Sequence, residues 1–358
     1  MRPGKGLGPG SDAIGGPRRG KSCYEITTAL FDILLAPARR RGMTPIAVSV
    51  IMCTRNRGDR LTAALDSIDR IEFDGGWEFI LVDNGSTDAT QEVAAAFAAR
   101  TRIKNFRSVL EPGTGLSRAR NRGIRESRGA LIAFTDDDCY AEQDWLRELT
   151  SAFQFEKIGF CGGQILLFDK SDAPVTISWS STPCTYPPNG FVNAGDIQGA
   201  NMAFRREALE QVGLFDPAFG AGAAYAAEDL DALWASSRNG WHGLYWPKAI
   251  VHHHHGRKAA DVEALMRGYM FGRGALVAKT LFRARHIKTA MRELVFVLTQ
   301  LRHSPLPWHR KVYWEMQGFF SYMRNEMIGG KSRLGETLPG GSSSASGSTP
   351  ERRSGSAG

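Results

Sequence analysis

The sequence is poor in the features that announce several common protein classes. Its five cysteines, Cys23, Cys53, Cys139, Cys161 and Cys184, are odd in number, widely spaced and never arranged as Cys-x-x-Cys. That usage argues against a zinc knuckle or a disulfide framework and leads one to expect a reducing compartment. No run of about 18 apolar residues occurs, so no membrane-spanning helix is expected. Met1 to Lys21 is rich in Gly, Pro and Arg and has no apolar signal core; it reads as disordered. No Gly-x-Gly-x-x-Gly follows the first expected strand, and no Gly-x-x-x-x-Gly-Lys-Ser/Thr appears anywhere. No Gly-x-Ser-x-Gly marks a covalent nucleophile. A nucleotide bound by this chain would be held by side chains and a metal, not by a glycine cradle.

What the chain does hold is one stretch around which the rest is organised. Leu131-Ile-Ala-Phe-Thr-Asp136-Asp137-Asp138-Cys139 runs a buried strand straight into three carboxylates. Three like charges at the end of a buried strand repel and lose hydration, so they call for a cation, either a divalent metal or basic side chains. Asp136 and Asp138 point the same way in extended chain and Asp137 the other. Aspartate oxygens so placed suit Mn2+ or Mg2+, with phosphate oxygens completing the shell. The competing reading is a solvated acidic turn or a helix cap before Trp145.

With 358 residues and a net charge of +8, the chain has room for one large α/β domain plus appendages and favours an anionic partner. A short helix is expected from Tyr24 to Leu35, ahead of the basic run Arg39 to Arg41. Ile46 to Met52 and Phe79 to Val82 are continuous apolar runs, the pattern of strands covered on both faces. Helices are expected over Asp59 to Ile68, Ala89 to Arg100 and Asp144 to Phe155, a further one capped by Ser117, and strands over Ile158 to Phe168 and Trp246 to Val251. Alternating strand, loop and helix predicts a doubly wound sheet, which binds ligands beyond the carboxyl ends of its strands. Those ends carry Thr54 and Arg57, Asp83 with Asn84 and Ser86, and Asp136 with Asp138. Asp83 reads as a base or ribose contact and also as the start of an Asx-turn through Asp-Asn-Gly, and the two do not exclude each other. Arg118, Arg122 and Arg125 share a helical face that meets a diphosphate or simply solvent. Asp229 falls in the first turn of a helix whose Leu230, Leu233 and Trp234 share a buried face. The last strand empties into His252 to His255, where His253 and His255 share the face of Val251, as metal ligands or as a structural cluster.

Taken in order, Val48 to Arg57, Leu81 to Asp88, Gly115 to Asn121, Phe134 to Asp138, Gly199 to Arg206, Glu228-Asp229 and the histidines after Val251 resemble the family 2 inverting glycosyltransferases with the GT-A fold. The resemblance spans about Ala47 to Gly256. It implies a mixed, mostly parallel α/β sheet flanked by helices and a nucleotide-sugar donor whose diphosphate binds Mn2+ or Mg2+. It places Thr54, Asn56, Arg57, Asp83, Asn84, Arg118, Asp136 and Asp137 at the donor. Asp138, Asp136 and His253 or His255 fall at the metal, and Asp229 with Glu228 at the catalytic position. Gly199, Asn201 and Trp234 are assigned to the acceptor, a saccharide or lipid-linked sugar in cell-surface polysaccharide synthesis. Arg55 stands where the family often has tyrosine. The alternatives are a non-catalytic nucleotide-sugar-binding protein and a nucleotidyltransferase on the same sheet. Asp229 favours catalysis over mere binding. A nucleotidyltransferase would call for a glycine-rich basic loop where Cys53 to Asp59 stands. No nucleic-acid module is recognisable.

The expected organisation is an N-terminal extension over 1–44, a catalytic domain over 45–256, a basic helical extension over 257–333 and a disordered Gly/Ser-rich tail over 334–358. From Gly256 to Arg333 there are 15 Lys and Arg against five Asp and Glu. Aromatics interleave with them, which fits either an anionic bilayer surface or helices packed on the core with a solvated side. A cytoplasmic enzyme, peripheral on the inner face of the membrane, is the expectation.

Overall fold

The structure is a computed structural model. It describes residues 24–25, 47–283, 286–287, 291 and 307–335. The expectations for 1–23, for the helix beyond Glu25, for the basic run at 39–41, for 292–306 and for the tail from 336 onward lie outside the described residues.

The chain builds a ten-stranded sheet in the order β1-β8-β10-β7-β9-β5-β2-β3-β4, with β6 added against β10. The strands are β1 (Tyr24–Glu25), β2 (Val48–Thr54), β3 (Trp77–Asp83), β4 (Phe106–Leu110), β5 (Leu131–Asp136) and β6 (Cys139–Ala141). They continue with β7 (Ile158–Leu167), β8 (Cys184–Tyr186), β9 (Asn201–Arg205) and β10 (His242–His253). Strands β2, β3, β4 and β5 pair in parallel, and so do β7 and β10. Antiparallel β9 joins the two groups. β5, β7 and β10 therefore run the same way and present their carboxyl ends on one edge.

Strand side chains alternate between the two faces. Val48, Val50 and Met52 face a core with Leu61, Leu65 and Ile68 of α1 (Leu61–Asp69), Phe97 of α2 (Thr90–Ala98) and Trp145 of α4 (Trp145–Ser151). Ile51 faces the other core, with Ile124 of α3 (Leu116–Glu126), Leu209 of α5 (Arg206–Gln211) and Leu233 of α6 (Glu228–Arg238). Two long helices, α7 (Val262–Phe282) and α8 (Trp308–Gly335), add Leu276 and Tyr322 to that second core. The expected mixed, mostly parallel α/β sheet between helices is what forms.

Several elements differ from the sequence reading. Tyr24–Glu25, expected to open a helix, pairs antiparallel with β8 instead. β4 has no apolar run because it is only half-covered at the sheet edge, so periodicity could not reveal it. β10 is twice the expected length, with an irregularity between Tyr245 and Ile250 where Pro247 lacks a ladder donor. The tail was expected to begin at Leu334, yet α8 runs on to Gly335. Cys184 is disulfide-bonded, while Cys53, Cys139 and Cys161 are free thiols. The cysteines therefore do not point to a reducing compartment. Among the described residues no helix is long and apolar enough to cross a membrane.

Candidate active site

A cavity of about 630 Å3 opens at the carboxyl edge of the sheet. β5 ends at Asp136, and a tight turn through Asp137 and Asp138 leads into β6. The end of β10 clamps that turn, since His254 N–H donates to the Asp138 carbonyl at 2.8 Å. The clamp sets His253 Nε2 at 3.2 Å from Asp138 Oδ1. Arg57, from the loop after β2, lies 3.6 Å from both Asp137 and Asp138.

Burial and neighbouring charge divide the three aspartates. Burial pushes the Asp137 carboxyl up to about 7, against the Thr54 hydroxyl and Arg57, which favour the carboxylate. Asp136 is also raised, chiefly by burial, with Arg120 opposing. Asp138 is held below the usual aspartate range: burial acts upward, but the hydrogen bond and charge of His253, helped by Arg57, outweigh it. His253 is correspondingly raised, because Asp138 more than offsets its burial.

A second acidic pair faces this one from the start of α6. Ala227 takes a left-handed conformation, φ +80°, and turns the chain so that Glu228 and Asp229 open the helix. Arg120 of α3, almost fully buried, bridges the two groups, with Nη1 at 2.8 Å from Glu228 and Nη2 at 3.5 Å from Asp136. Burial and the adjacent Asp229 push Glu228 up to about 7 despite that arginine. Asp229 is less covered. Its two oxygens accept from Leu230 N–H at 2.7 Å and Gly199 N–H at 2.9 Å, which fixes the carboxylate in the cavity wall. Gly199 has no space for a side chain, because a Cβ there would strike the Arg120 guanidinium.

Of the residues singled out by sequence, Thr54, Arg57, Asn84, Asp136, Asp137, Asp138, Gly199, Glu228, Asp229 and His253 line one cavity. Six others do not. Asp83 is buried and does not line the cavity; its carboxylate accepts from Ser86 N–H at 2.9 Å and Gln91 Nε2 at 2.9 Å and so shapes the loop after β3. Asn56, at φ +53°, accepts from Thr87 N–H and ties two loops together. Arg118 is exposed outside the cavity, on the solvated side of α3. Asn201 is fully buried, bonding Trp145 and the carbonyls of Gln164 and Ala249. Trp234 is a core residue whose Nε1 donates to the Val192 carbonyl. The helix pattern already placed Trp234 in the core, and that outranks its assignment to the acceptor. His255 does not line the cavity: it packs edge-to-face on His253, its Nδ1 accepting from Arg257 N–H and lying 3.8 Å from Asp172. The acidic turn before Trp145 is not a solvated helix cap.

The sequence reading missed Arg120, Arg257 and the face of α7 formed by Met266, Tyr269, Met270 and Arg273. Arg120 stands two places from Arg118, on the opposite and buried side of the same helix with Ala119 and Ile124, and no motif of its own sets it apart from its basic neighbours. The α7 residues carried no motif.

Asp138, Cys139 and His253 offer ligand atoms within 4.8 Å of one another. Burial holds the Cys139 thiol well above its usual range, hence protonated, which makes it a poor ligand for a hard ion. The Asp138 carboxylate and the His253 imidazole, 3.2 Å apart, are ligand types that a divalent ion such as Mn2+ or Mg2+ takes, whereas Asp136 lines the same cavity but lies 3.5 Å from Arg120.

Residues 49–213 match the family described as Glycosyl transferase family 2. Glycosyltransferase AglE of Haloferax volcanii is 28% identical over 170 residues, covering 47% of this chain and 55% of the relative. Putative glycosyltransferase EpsH of Bacillus subtilis is 31% identical over 169 residues, covering 46% of this chain and 48% of the relative. The chain thus spans about half the length of these two relatives. Among solved structures it is similar to the mannosyltransferase PcManGT from Pyrobaculum calidifontis in complex with GDP-Man and Mn2+, at a TM-score of 0.49 and 17% identity, covering 86% and 82% of the two chains. The family match covers 165 of the 358 residues, from β2 to the end of α5, and takes in the acidic turn at Asp136 to Asp138.

Proposed function

We propose that this chain is a metal-dependent inverting glycosyltransferase, moving a sugar from a nucleotide-diphosphate sugar to a saccharide or lipid-linked acceptor in cell-surface polysaccharide synthesis. The observation that carries the reading is the Asp138–His253 pair set in one cavity with Asp229. We propose 45–256 as its catalytic core and 257–333 as an appended helical unit.

Asp136, Asp138 and His253 would hold the ion, which would supply positive charge for the departing diphosphate. Inversion is a single in-line displacement: the acceptor oxygen bonds to the anomeric carbon as the carbon–phosphate-oxygen bond breaks. The acceptor hydroxyl proton passes to a carboxylate. Glu228 is locked against Arg120, whereas Asp229 is the less buried acid and is oriented by two backbone N–H groups, so Asp229 is the base. Thr54, Arg57 and Asn84 border the donor.

The alternatives fit less well. A binding protein has no use for an oriented acid at Asp229. A nucleotidyltransferase loop needs glycines to cradle phosphate, yet the single glycine after β2, Gly58, is pressed against the Ala89 backbone, with a Cβ position 3.0 Å from its carbonyl carbon.

The test is donor binding by calorimetry across a panel of nucleotide sugars, with and without Mn2+. Binding should depend on the ion, and Asp138→Asn should weaken it. Equal affinity for the variant in Mn2+ would remove Asp138 from the metal site.

A further inference from the structure

One wall of the cavity comes from outside the family-matched segment. Met266, Tyr269, Met270 and Arg273 of α7 line it, at the spacing that puts them on a single helical face. Their position is fixed by close backbone contact. A Cβ on Gly272 would lie 2.5 Å from the Ala226 carbonyl oxygen, so α7 rests directly on the loop that leads into Glu228 and Asp229. The wall and the proposed base are therefore parts of one packed unit.

The chemistry of this wall differs from that of the metal side. The aspartates, His253 and Arg57 make the latter ionic. On α7, Arg273 is neutralised by Glu315 of α8, with Nε at 2.9 Å from the carboxylate. Between Met266 and Met270 stands Tyr269, still 36% exposed although it borders the cavity. Tyr269, Asp229 and Arg257 line the same cavity, and the Tyr269 hydroxyl is pushed up to about 12 by burial, with Arg257 opposing and Asp229 and Glu228 adding to the rise, so it stays uncharged. A half-exposed tyrosine between two thioethers offers an apolar ring face with a polar tip. Pyranose rings present just such a surface, C–H groups on one face and hydroxyls at the rim.

Resting on the glycosyltransferase reading above, we propose that Tyr269, flanked by Met266 and Met270, is the acceptor platform, stacking on the C–H face of an uncharged pyranose whose hydroxyl reaches Asp229. The acceptor unit bound at α7 is a neutral sugar rather than a phosphate or a uronic acid.

Steady-state transfer with Mn2+ from a nucleotide-sugar panel to neutral methyl pyranosides, with glucuronide and polyprenyl-phosphate acceptors alongside, tests this. Tyr269→Ala should raise the acceptor KM about three- to tenfold while leaving the donor KM in place. Tyr269→Phe, which keeps the ring, should bring the acceptor KM back towards the parent. An unchanged acceptor KM in Tyr269→Ala, or a preference of the parent for the charged acceptors, overturns the platform while leaving glycosyl transfer standing. A parent that binds and consumes no donor sinks both readings.

Discussion

At the scale of single residues, the site sorts its acids by environment. Asp229 accepts two backbone N–H bonds and lines the cavity, so it stays available, while Glu228 is committed to Arg120. Asp229→Asn keeps the shape but cannot take a proton. Transfer should fall by about 10²- to 10⁴-fold with donor affinity unchanged, measured by initial rates and calorimetry. Near-parental turnover would place the base elsewhere. Arg120 carries a structural load as well, since it compensates two acids from a nearly closed position. Arg120→Met should lower stability by about 3 to 5 kcal/mol, because it strands Glu228 in the interior. Adding Glu228→Gln should recover part of that loss in denaturant titrations. If the double variant is no more stable than the single one, the ion pair is not what Arg120 supplies. The three aspartates were readable from sequence because charge at the end of an apolar run has few explanations. Arg120 was not, because a buried arginine is recognised by its partners, and these lie 16 and 108 positions away in the chain.

At the scale of elements, the strands that build the sheet were legible wherever both faces are covered, as in β2, β3 and β5. Edge and antiparallel strands such as β4, β8 and β9 follow from tertiary pairing, and their sequences carry no comparable run. The same partition governs Asp83 and Asn56. Both stand at strand ends, where function is expected, yet both are used to shape loops. The opposite edge of the sheet is pinned by a buried acid, Glu78 of β3. It accepts from Ser49 Oγ at 2.6 Å, Arg128 N–H at 2.6 Å and Arg107 Nη1 at 2.9 Å. Burial works upward on this carboxyl, but those bonds and the Arg107 charge outweigh it and hold it below the usual glutamate range. A lowered folded pKa means stability that is fully present above the unfolded value, about 4.3, and is lost as pH falls through the folded one. Glu78→Gln should therefore destabilise at pH 7, by about 1.5 to 3 kcal/mol. The gap between parent and variant should close as the pH is taken from 5 towards 3. A gap that stays constant over that range would show that Glu78 is not held by its charge.

At the scale of the whole molecule, the C-terminal hairpin decides how the basic charge is used. Lys279 pairs with Asp216 and Asp231, Arg310 with Glu263, Arg283 with Glu326 and Lys258 with Asp172. Much of the described surplus is thus engaged within the chain. Trp308, Tyr313, Met316 and Phe320 remain exposed on α8. Attachment to an anionic bilayer through this face stays a proposal, now resting mainly on those apolar side chains. Cosedimentation with anionic vesicles should drop for Tyr313→Ser/Phe320→Ser, and parental binding by that variant would reject the face. The two helices themselves meet without intervening side chains. A Cβ on Gly274 would strike the Glu315 backbone, and one on Gly318 would strike the Phe271 backbone. Such a joint has the tolerance of a machined fit: neither rod can slide or rotate without jamming, so the hairpin moves as one piece or not at all. Gly318→Ala, on a helix that touches no ligand, should then shim α7 out of true and raise the acceptor KM while sparing the donor. A joint that absorbed the extra methyl locally would leave both values where they were.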